Sequence, residues 1–250
     1  KRKVYILTVK AKILKMELED FIKENKKYCK QEIIKLSESE NPIRALHLKK
    51  GKGLRKKALL TSYIHGNEPE TLQANLTTLE NVLQYSLLDS WEIMSIPVAN
   101  PYGKQLGTRY NLIGIDLNRD FFNQKAKETR TIIKIYEKFK PEIVLDYHSN
   151  LSNNFSCIMV PENIDMSLCR DIIFSYQEIR EQTNLPTFWS IMDVNKDVVA
   201  CFHTKGIYIL RPGKGLFVEY ASQKSRIAAA IEDYGTELSI EFSTELLKRY

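Results

Sequence analysis

Residues 43–149 alternate between short apolar runs and longer segments with helical spacing, and this alternation limits the possible folds more than any other feature. IRALHL, KALLTSYI, WEIMSI and PEIVLDY read as strands, whereas EPETLQANLTTLENVLQYSL and KETRTIIKIYEKFK read as helices. Most of the connections are too long for hairpins. We therefore expect an α/β fold, with a mainly parallel or mixed twisted sheet and helices on both faces.

The remaining segments complete the predicted order of elements. VYILTV predicts a short strand, 13–36 an amphipathic helix, and KKGKG the turn of a hairpin between IRALHL and KALLTSYI. Further along, SCIMV and TELSIEF predict strands, MSLCRDIIFSYQEIR and ELLKRY predict helices, and 186–216 shows neither period. We expect a strand-helix extension over 1–40 and a single larger domain over 41–250.

The composition of this 250-residue chain excludes several classes of protein. The chain has no run of roughly 18 apolar residues, so no membrane span is predicted. The four cysteines form no C-x-x-C pair, which argues against a cysteine zinc site or a redox motif. Much of the net charge of +6 comes from KKGKGLRKK, which lacks the aromatic residues of a nucleic-acid site, so no nucleic-acid partner is expected. The sequence leaves the oligomeric state and the compartment open, and it favours the cytoplasm over the periplasm or secretion.

Two histidines lie at the ends of predicted strands. His65 follows ALLTSYI, with Glu68 at the start of the next helix, and His148 follows EIVLDY directly. Ligands of open α/β sheets bind at the carboxyl ends of the strands, so both histidines open into one crevice if their strands are neighbours. Two histidines and one carboxylate, with an open fourth position, are the ligand set of a catalytic zinc. We therefore predict one Zn²⁺ per chain.

Four motifs occur along the chain in the order HGNEPE, NPYG with a following Arg-x-Asn, GIDLNRDF and DYHS. In this order they closely resemble the zinc metallocarboxypeptidases of the carboxypeptidase A type, nearest to the compact bacterial branch that includes murein-peptide amidases. The resemblance covers roughly residues 43–243. It implies a zinc-exopeptidase-like fold, His65, Glu68 and His148 as zinc ligands, and removal of a C-terminal residue from peptides by metal-activated water.

The resemblance also implies how the substrate is held. Asn118 and Arg119 would bind its terminal carboxylate, Arg109 would polarise the scissile carbonyl, and Asp116 would orient a zinc-bound histidine. The residue types suit these roles, because a guanidinium holds a carboxylate through two parallel hydrogen bonds and a carboxylate behind a ligating histidine fixes its tautomer.

The same resemblance implies a glutamate general base on a late strand, preceded by a mobile tyrosine. TELSIEF offers both Glu237 and Glu241, and strand alternation places them on the same face. Glu241 is preferred because it is nearer the carboxyl end of the predicted strand and because SIEFS matches the context of the family's base. Tyr220 precedes it by 21 residues and is the candidate tyrosine.

Two other functions are compatible with parts of the pattern. A zinc deacylase of the aspartoacylase or succinylglutamate desuccinylase type resembles the same histidine, glutamate and Asn-Arg set, although RYNLIGIDLNRDF looks more like the peptidases. A binding module that uses the basic face of a degenerate peptidase fold to hold anionic polymers is the alternative outside the enzymes.

Overall fold

The structure is a computed structural model that describes residues 17–36, 41–149, 157–161, 198–202, 207–210, 215–233 and 236–250. One mixed sheet runs through these residues. Its strands are β1 (Cys29–Ile34), β2 (Ile43–Leu48), β3 (Lys56–Thr61), β4 (Trp91–Ile96), β5 (Ile143–Ser149), β6 (Cys157–Pro161), β7 (Val198–Phe202), β8 (Ile207–Leu210) and β9 (Ile227–Asp233).

The spatial order of the strands is β1-β2-β4-β3-β5-β9-β6-β8-β7. The four central strands β4, β3, β5 and β9 are mutually parallel, and antiparallel strands flank them on both sides. The carboxyl ends of β3, β5 and β9 therefore lie at the same edge of the sheet. This edge is where the predicted crevice has to be.

Helices cover both faces of the sheet. They are α1 (Leu18–Glu24), α2 (Glu70–Gln84), α3 (Pro101–Leu106), α4 (Lys127–Phe139), α5 (Phe217–Ala221) and α6 (Glu237–Arg249), with short 3₁₀ turns at Leu87–Asp89 and Leu117–Arg119. Neighbouring strand residues face opposite ways: Leu60 packs with the α2 and α6 side chains, whereas Leu59 packs with those of α4 and α5. The predicted α/β class with helices on both faces is confirmed. No helix in the described part of the chain is long and apolar enough to cross a membrane.

Three predicted elements are wrong. IRALHL and KALLTSYI form β2 and β3 but do not pair as a hairpin, because β4 lies between them. Segment 13–36 is not one helix: its described part holds the short α1 and then β1, which pairs with β2 as an edge strand. TELSIEF is not a strand, because these residues lie at the start of α6.

The other segments agree with the structure in part, where it describes them. SCIMV supplies β6, and ELLKRY is the end of α6 rather than a separate helix. Within 186–216, β7 and β8 form an antiparallel pair at the sheet edge. VYILTV and MSLCRDIIFSYQEIR lie outside the described residues, and the domain boundary at residue 40 stays a prediction.

Candidate metal centre

A sharp bend after β3 directs His65 into the crevice. Tyr63 adopts a left-handed conformation with φ of 54°, which is uncommon for a residue other than glycine. Its backbone is held on both sides, since its N–H donates to Thr71 Oγ1 at 3.1 Å and its carbonyl accepts from the N–H of Asn100 at 2.9 Å. Tertiary hydrogen bonds thus maintain the bend that two residues later presents the His65 ring.

The HGNE and NPYG loops approach each other so closely that both need glycine. A Cβ on Gly66 would lie 1.9 Å from the carbonyl carbon of Gly103, and one on Gly103 would lie 2.4 Å from Nδ2 of Asn100. The Asn100 side chain accepts the N–H of Gly103 at 2.9 Å and caps α3. These contacts fix the first histidine loop against the segment that leads to Arg109.

His65, Glu68 and His148 meet at the carboxyl edge of the sheet and are all buried. Glu68 lies between the two rings, with Oε1 2.7 Å from His65 Nδ1 and Oε2 3.1 Å from His148 Nδ1. The ring centroids are 4.9 Å apart, and the candidate ligand atoms all lie within 4.8 Å of one another. Among the described residues this is the one cluster of His, Cys, Asp and Glu that could hold a metal ion.

The electrostatics of the triad favour charge on both kinds of group. Burial opposes ionisation of Glu68, but His148 and His65 outweigh it and lower the pKa of Glu68 to about 2. Burial likewise opposes protonation of His148, yet the carboxylates of Asp146 and Glu68 raise its pKa well above the usual value. Without a metal, protonation of the His148 ring supplies the positive charge that balances the buried Glu68 carboxylate.

The outward nitrogen of each ring has its own carboxylate, which is the arrangement that a metal site needs. His65 Nε2 lies 3.2 Å from Asp116 Oδ1, and His148 Nε2 lies 3.0 Å from Asp146 Oδ2. A carboxylate on one ring nitrogen fixes the tautomer that leaves the other nitrogen free to bind a metal. Both Nδ1 atoms face Glu68, so the residues present fit a zinc ion bound through two imidazoles and one carboxylate.

The residues predicted to hold substrate surround this triad. Arg109 donates from Nε to Asp116 Oδ2 at 2.8 Å, and one of its terminal nitrogens lies 3.3 Å from His65 Nδ1. Asn118 is buried, with Nδ2 3.2 Å from His148 Nε2 and Oδ1 accepting the N–H of Phe217 at 3.1 Å. Arg119 is exposed, and its guanidinium donates to the carbonyl of Asn118 at 2.9 Å.

The structure removes the strand-end argument for preferring Glu241. Glu237 and Glu241 lie on the exposed side of α6, because the apolar residues of TELSIEF follow helical rather than strand spacing into the core. Glu232 lies instead at the end of β9, where it is the register partner of His148 across the β5–β9 pair. The pKa of Glu232 is raised, chiefly by burial. The nearby histidines lower it and the Glu68 carboxylate raises it further.

Glu232 was not predicted from the sequence, although it follows an apolar run as the two histidines do. It follows the apolar run IAAAI, just as His148 follows an apolar run on β5. The three alanines concealed this strand, because alanine favours helices and is depleted in strands.

Tyr220 is joined to α4 rather than to the triad. Its hydroxyl donates to Glu137 Oε1 at 3.0 Å, and its ring lies 5.9 Å from the rings of Phe122 and Tyr136. Burial and the Glu137 carboxylate raise the pKa of Tyr220 to about 12. The 21-residue spacing that suggested Tyr220 was counted from Glu241, so it no longer supports a role in substrate binding.

Comparison with known proteins agrees with this geometry. The family model described as "Zinc carboxypeptidase" matches residues 14–144, more than half of the chain. The chain belongs to the zinc carboxypeptidase family. The match includes His65 and Glu68 and ends four residues before His148, which the fold brings to the same site.

Individual carboxypeptidases are also similar to this chain. Carboxypeptidase 2 of Trichophyton rubrum is 33% identical over 90 residues, which cover 34% of this chain and 17% of that protein. The metallo-carboxypeptidase of Burkholderia cenocepacia superposes with a TM-score of 0.67 at 13% identity, over 91% of this chain and 65% of its own.

A metallo-carboxypeptidase of Pseudomonas aeruginosa, solved in complex with (2-guanidinoethylmercapto)succinic acid, gives a TM-score of 0.65 at 14% identity, over 92% of this chain and 66% of its own. The chain thus spans about a sixth of the fungal relative and about two thirds of the two bacterial structures. The structural likeness shows the fold.

Proposed function

We propose that the protein is a zinc-dependent carboxypeptidase that removes a C-terminal residue from peptides. The observation that carries this proposal is the buried triad of His65, Glu68 and His148. The Nδ1 atoms of both rings face the Glu68 carboxylate, and each Nε2 atom faces an aspartate of its own. A zinc ion held by these three residues would supply a water of lowered pKa and would polarise the scissile carbonyl.

Glu232 is the general base in this proposal and replaces Glu241. Its place beside His148 at the end of β9 puts a carboxylate at the edge of the crevice, where the attacking water has to lie. Burial raises the pKa of Glu232 toward the range in which a carboxylate both accepts a proton and returns it. Glu232 takes the proton of the water during attack and delivers it to the leaving amine.

Arg109 stabilises the negative charge that develops on the carbonyl oxygen. Asp116 holds its guanidinium through Nε, and one terminal nitrogen lies 3.3 Å from His65 Nδ1, so the guanidinium lies beside the place where the reacting carbonyl would bind. A preorganised donor of this kind is worth about 3–4 kcal/mol of transition-state stabilisation in comparable sites.

Asn118 and Arg119 bind the free carboxylate that makes the enzyme an exopeptidase. The two residues form the 3₁₀ turn beside His148, and Arg119 is exposed to an arriving substrate. The ligand of the Pseudomonas aeruginosa protein is a succinic acid derivative, so a relative of the same fold accommodates carboxylate groups. A guanidinium is suited to this task because it binds a carboxylate in bidentate fashion.

Product analysis by mass spectrometry tests the proposal. The zinc-loaded protein is incubated with peptides that end in different residues, their C-terminally amidated counterparts, a murein tetrapeptide and N-acyl amino acids. Release of single C-terminal residues from free-carboxylate peptides supports it, and turnover of the murein peptide would place the protein with the murein-peptide amidases. Release of acyl groups alone would make it a deacylase and overturn the proposal.

A further inference from the structure

The second histidine ligand has a buried aspartate behind it, the first residue of the DYHS motif, to which the resemblance assigned no role. Asp146 is 0% exposed and His148 is 2% exposed, and the two residues are two positions apart on β5. Residues two apart on a strand point to the same face, so the Asp146 carboxylate can reach the ring of His148. Its Oδ2 lies 3.0 Å from His148 Nε2.

The neighbouring strand fixes the other oxygen of Asp146. Thr61 on β3 is its register partner, and the Thr61 hydroxyl donates to Asp146 Oδ1. One carboxylate oxygen is therefore bound by β3 and the other is aimed at the ring. Because β3 and β5 are central strands and both residues are fully buried, the carboxylate has little room to turn away from His148.

A second group competes for the same ring nitrogen. Asn118 Nδ2 lies 3.2 Å from His148 Nε2, and the orientation of this amide is set by the Phe217 N–H that donates to its oxygen. If Nε2 accepted a hydrogen bond from Asn118, the ring proton would reside on Nδ1 and the nitrogen that faces Glu68 would have no lone pair for a metal. If Nε2 instead donates to Asp146, Nδ1 is free.

The Asp146 carboxylate is the stronger partner of His148 Nε2. A hydrogen bond to an ionised acceptor is roughly twice as strong as one between neutral groups, and without the ring, Oδ2 of this buried carboxylate would lose its donor, which is costly. We infer that Asp146, held by Thr61, is the positioning residue that fixes the Nε2–H tautomer of His148 and so presents its Nδ1 to the metal. This inference rests on the proposed zinc site and adds a residue to it.

Zinc affinity, measured by competition with a chromophoric chelator, tests the inference without using activity. Asp146→Asn keeps the shape of the side chain and removes its charge, and we expect it to weaken zinc binding by about 10–100-fold, the usual effect of losing such a partner. Thr61→Val should weaken binding less, because it acts one step further from the ring.

The matched control is Asp120→Asn. Asp120 is also a buried aspartate, at 3% exposure, but its carboxylate accepts the backbone N–H groups of Lys125 and Ala126 and holds only a loop. The Asp120→Asn substitution should lower the free energy of unfolding and leave the zinc affinity unchanged. Equal zinc affinity of Asp146→Asn and the parent would overturn the inference and leave the proposed function standing, whereas a parent that binds no zinc would overturn both.

The tautomer itself gives a second measurement that needs no variant. The chain has four histidines, so ¹⁵N-histidine spectra of the zinc-loaded parent can be assigned ring by ring. We expect the His148 ring to carry its proton on Nε2 and to be metal-bound through Nδ1. A ring bound through Nε2, or a proton on Nδ1, would contradict the role of Asp146 even if Asp146→Asn does not fold.

Discussion

His148 on β5 and Glu232 on β9 are register partners across a parallel strand pair. This pairing places a candidate zinc ligand and a carboxylate with a raised pKa side by side at the carboxyl edge of the sheet. The general base of a metal-assisted hydrolysis has to lie within reach of the attacking water, so the pairing is the basis for assigning this role to Glu232.

Glu232→Gln should retain zinc and lose turnover. The amide keeps the size of the side chain but cannot accept the proton, and general-base catalysis typically contributes about 10²–10⁴-fold to the rate. The measurement is kcat on a peptide with a free C terminus, together with the zinc content of the purified variant. Glu237→Gln and Glu241→Gln are the controls on exposed positions of α6 and should leave kcat unchanged. Loss of turnover in Glu241→Gln alone would show that Glu241, and not Glu232, is the general base.

Arg119→Ala should mainly impair substrates with a free C-terminal carboxylate. A hydrogen bond to a charged group contributes about 1.5–3 kcal/mol, so we expect kcat/KM to fall by roughly 10–150-fold, chiefly through KM. The check is a comparison of free and amidated peptides in steady-state assays. Arg249→Ala, which removes an exposed arginine paired with Glu245, is the charge-matched control and should have no effect. An equal loss on both substrates would exclude the proposed role of Arg119.

Gly66→Ala should destabilise the fold more than an alanine at an open glycine. The added Cβ meets the backbone of Gly103, which cannot move aside like a flexible side chain, so we expect a cost at or above the upper end of the usual overpacking range, about 3 kcal/mol or more. Gly114→Ala is the control, because Gly114 has a positive φ but open space around it and should cost about 1–2 kcal/mol. Urea unfolding measures both, and equal losses would show that the loops part easily.

Acid should unfold the metal-free protein partly through Glu68. The pKa of Glu68 is about 2 in the folded protein against an ordinary 4.5, so its contribution to stability is present above pH 4.5 and is lost as the pH falls toward 2. Between pH 5.5 and pH 3 this linkage removes about 2 kcal/mol. Urea unfolding of metal-free Glu68→Gln should show a loss smaller by that amount. The same loss in the parent and the variant would contradict the lowered pKa.

The sequence predicted the triad because its signal is local and the fold preserves it. An apolar run that ends in a histidine marks the carboxyl end of a buried strand, and His65 and His148 both follow this rule. Register then brings the two strand ends together, since Thr61 and Asp146 are partners across β3 and β5.

The sequence failed where two periods compete or where pairing is not local. TELSIEF alternates like a strand, but Leu238 and Phe242 are also four residues apart, and the helix buries both. The turn residues of KKGKG are compatible with a hairpin, yet β4 enters between β2 and β3 from later in the chain, which no local pattern can reveal.

The zinc content of protein purified without added metal tests the central claim most directly. Elemental mass spectrometry is carried out on the parent and on His148→Ala, with His47→Ala as a control because His47 lies on β2 and pairs with Glu92 away from the triad. We predict about one zinc per chain in the parent and in His47→Ala, and none in His148→Ala. No zinc in the parent, even after incubation with the metal, or equal zinc in all three, would contradict a metal centre at His65, Glu68 and His148.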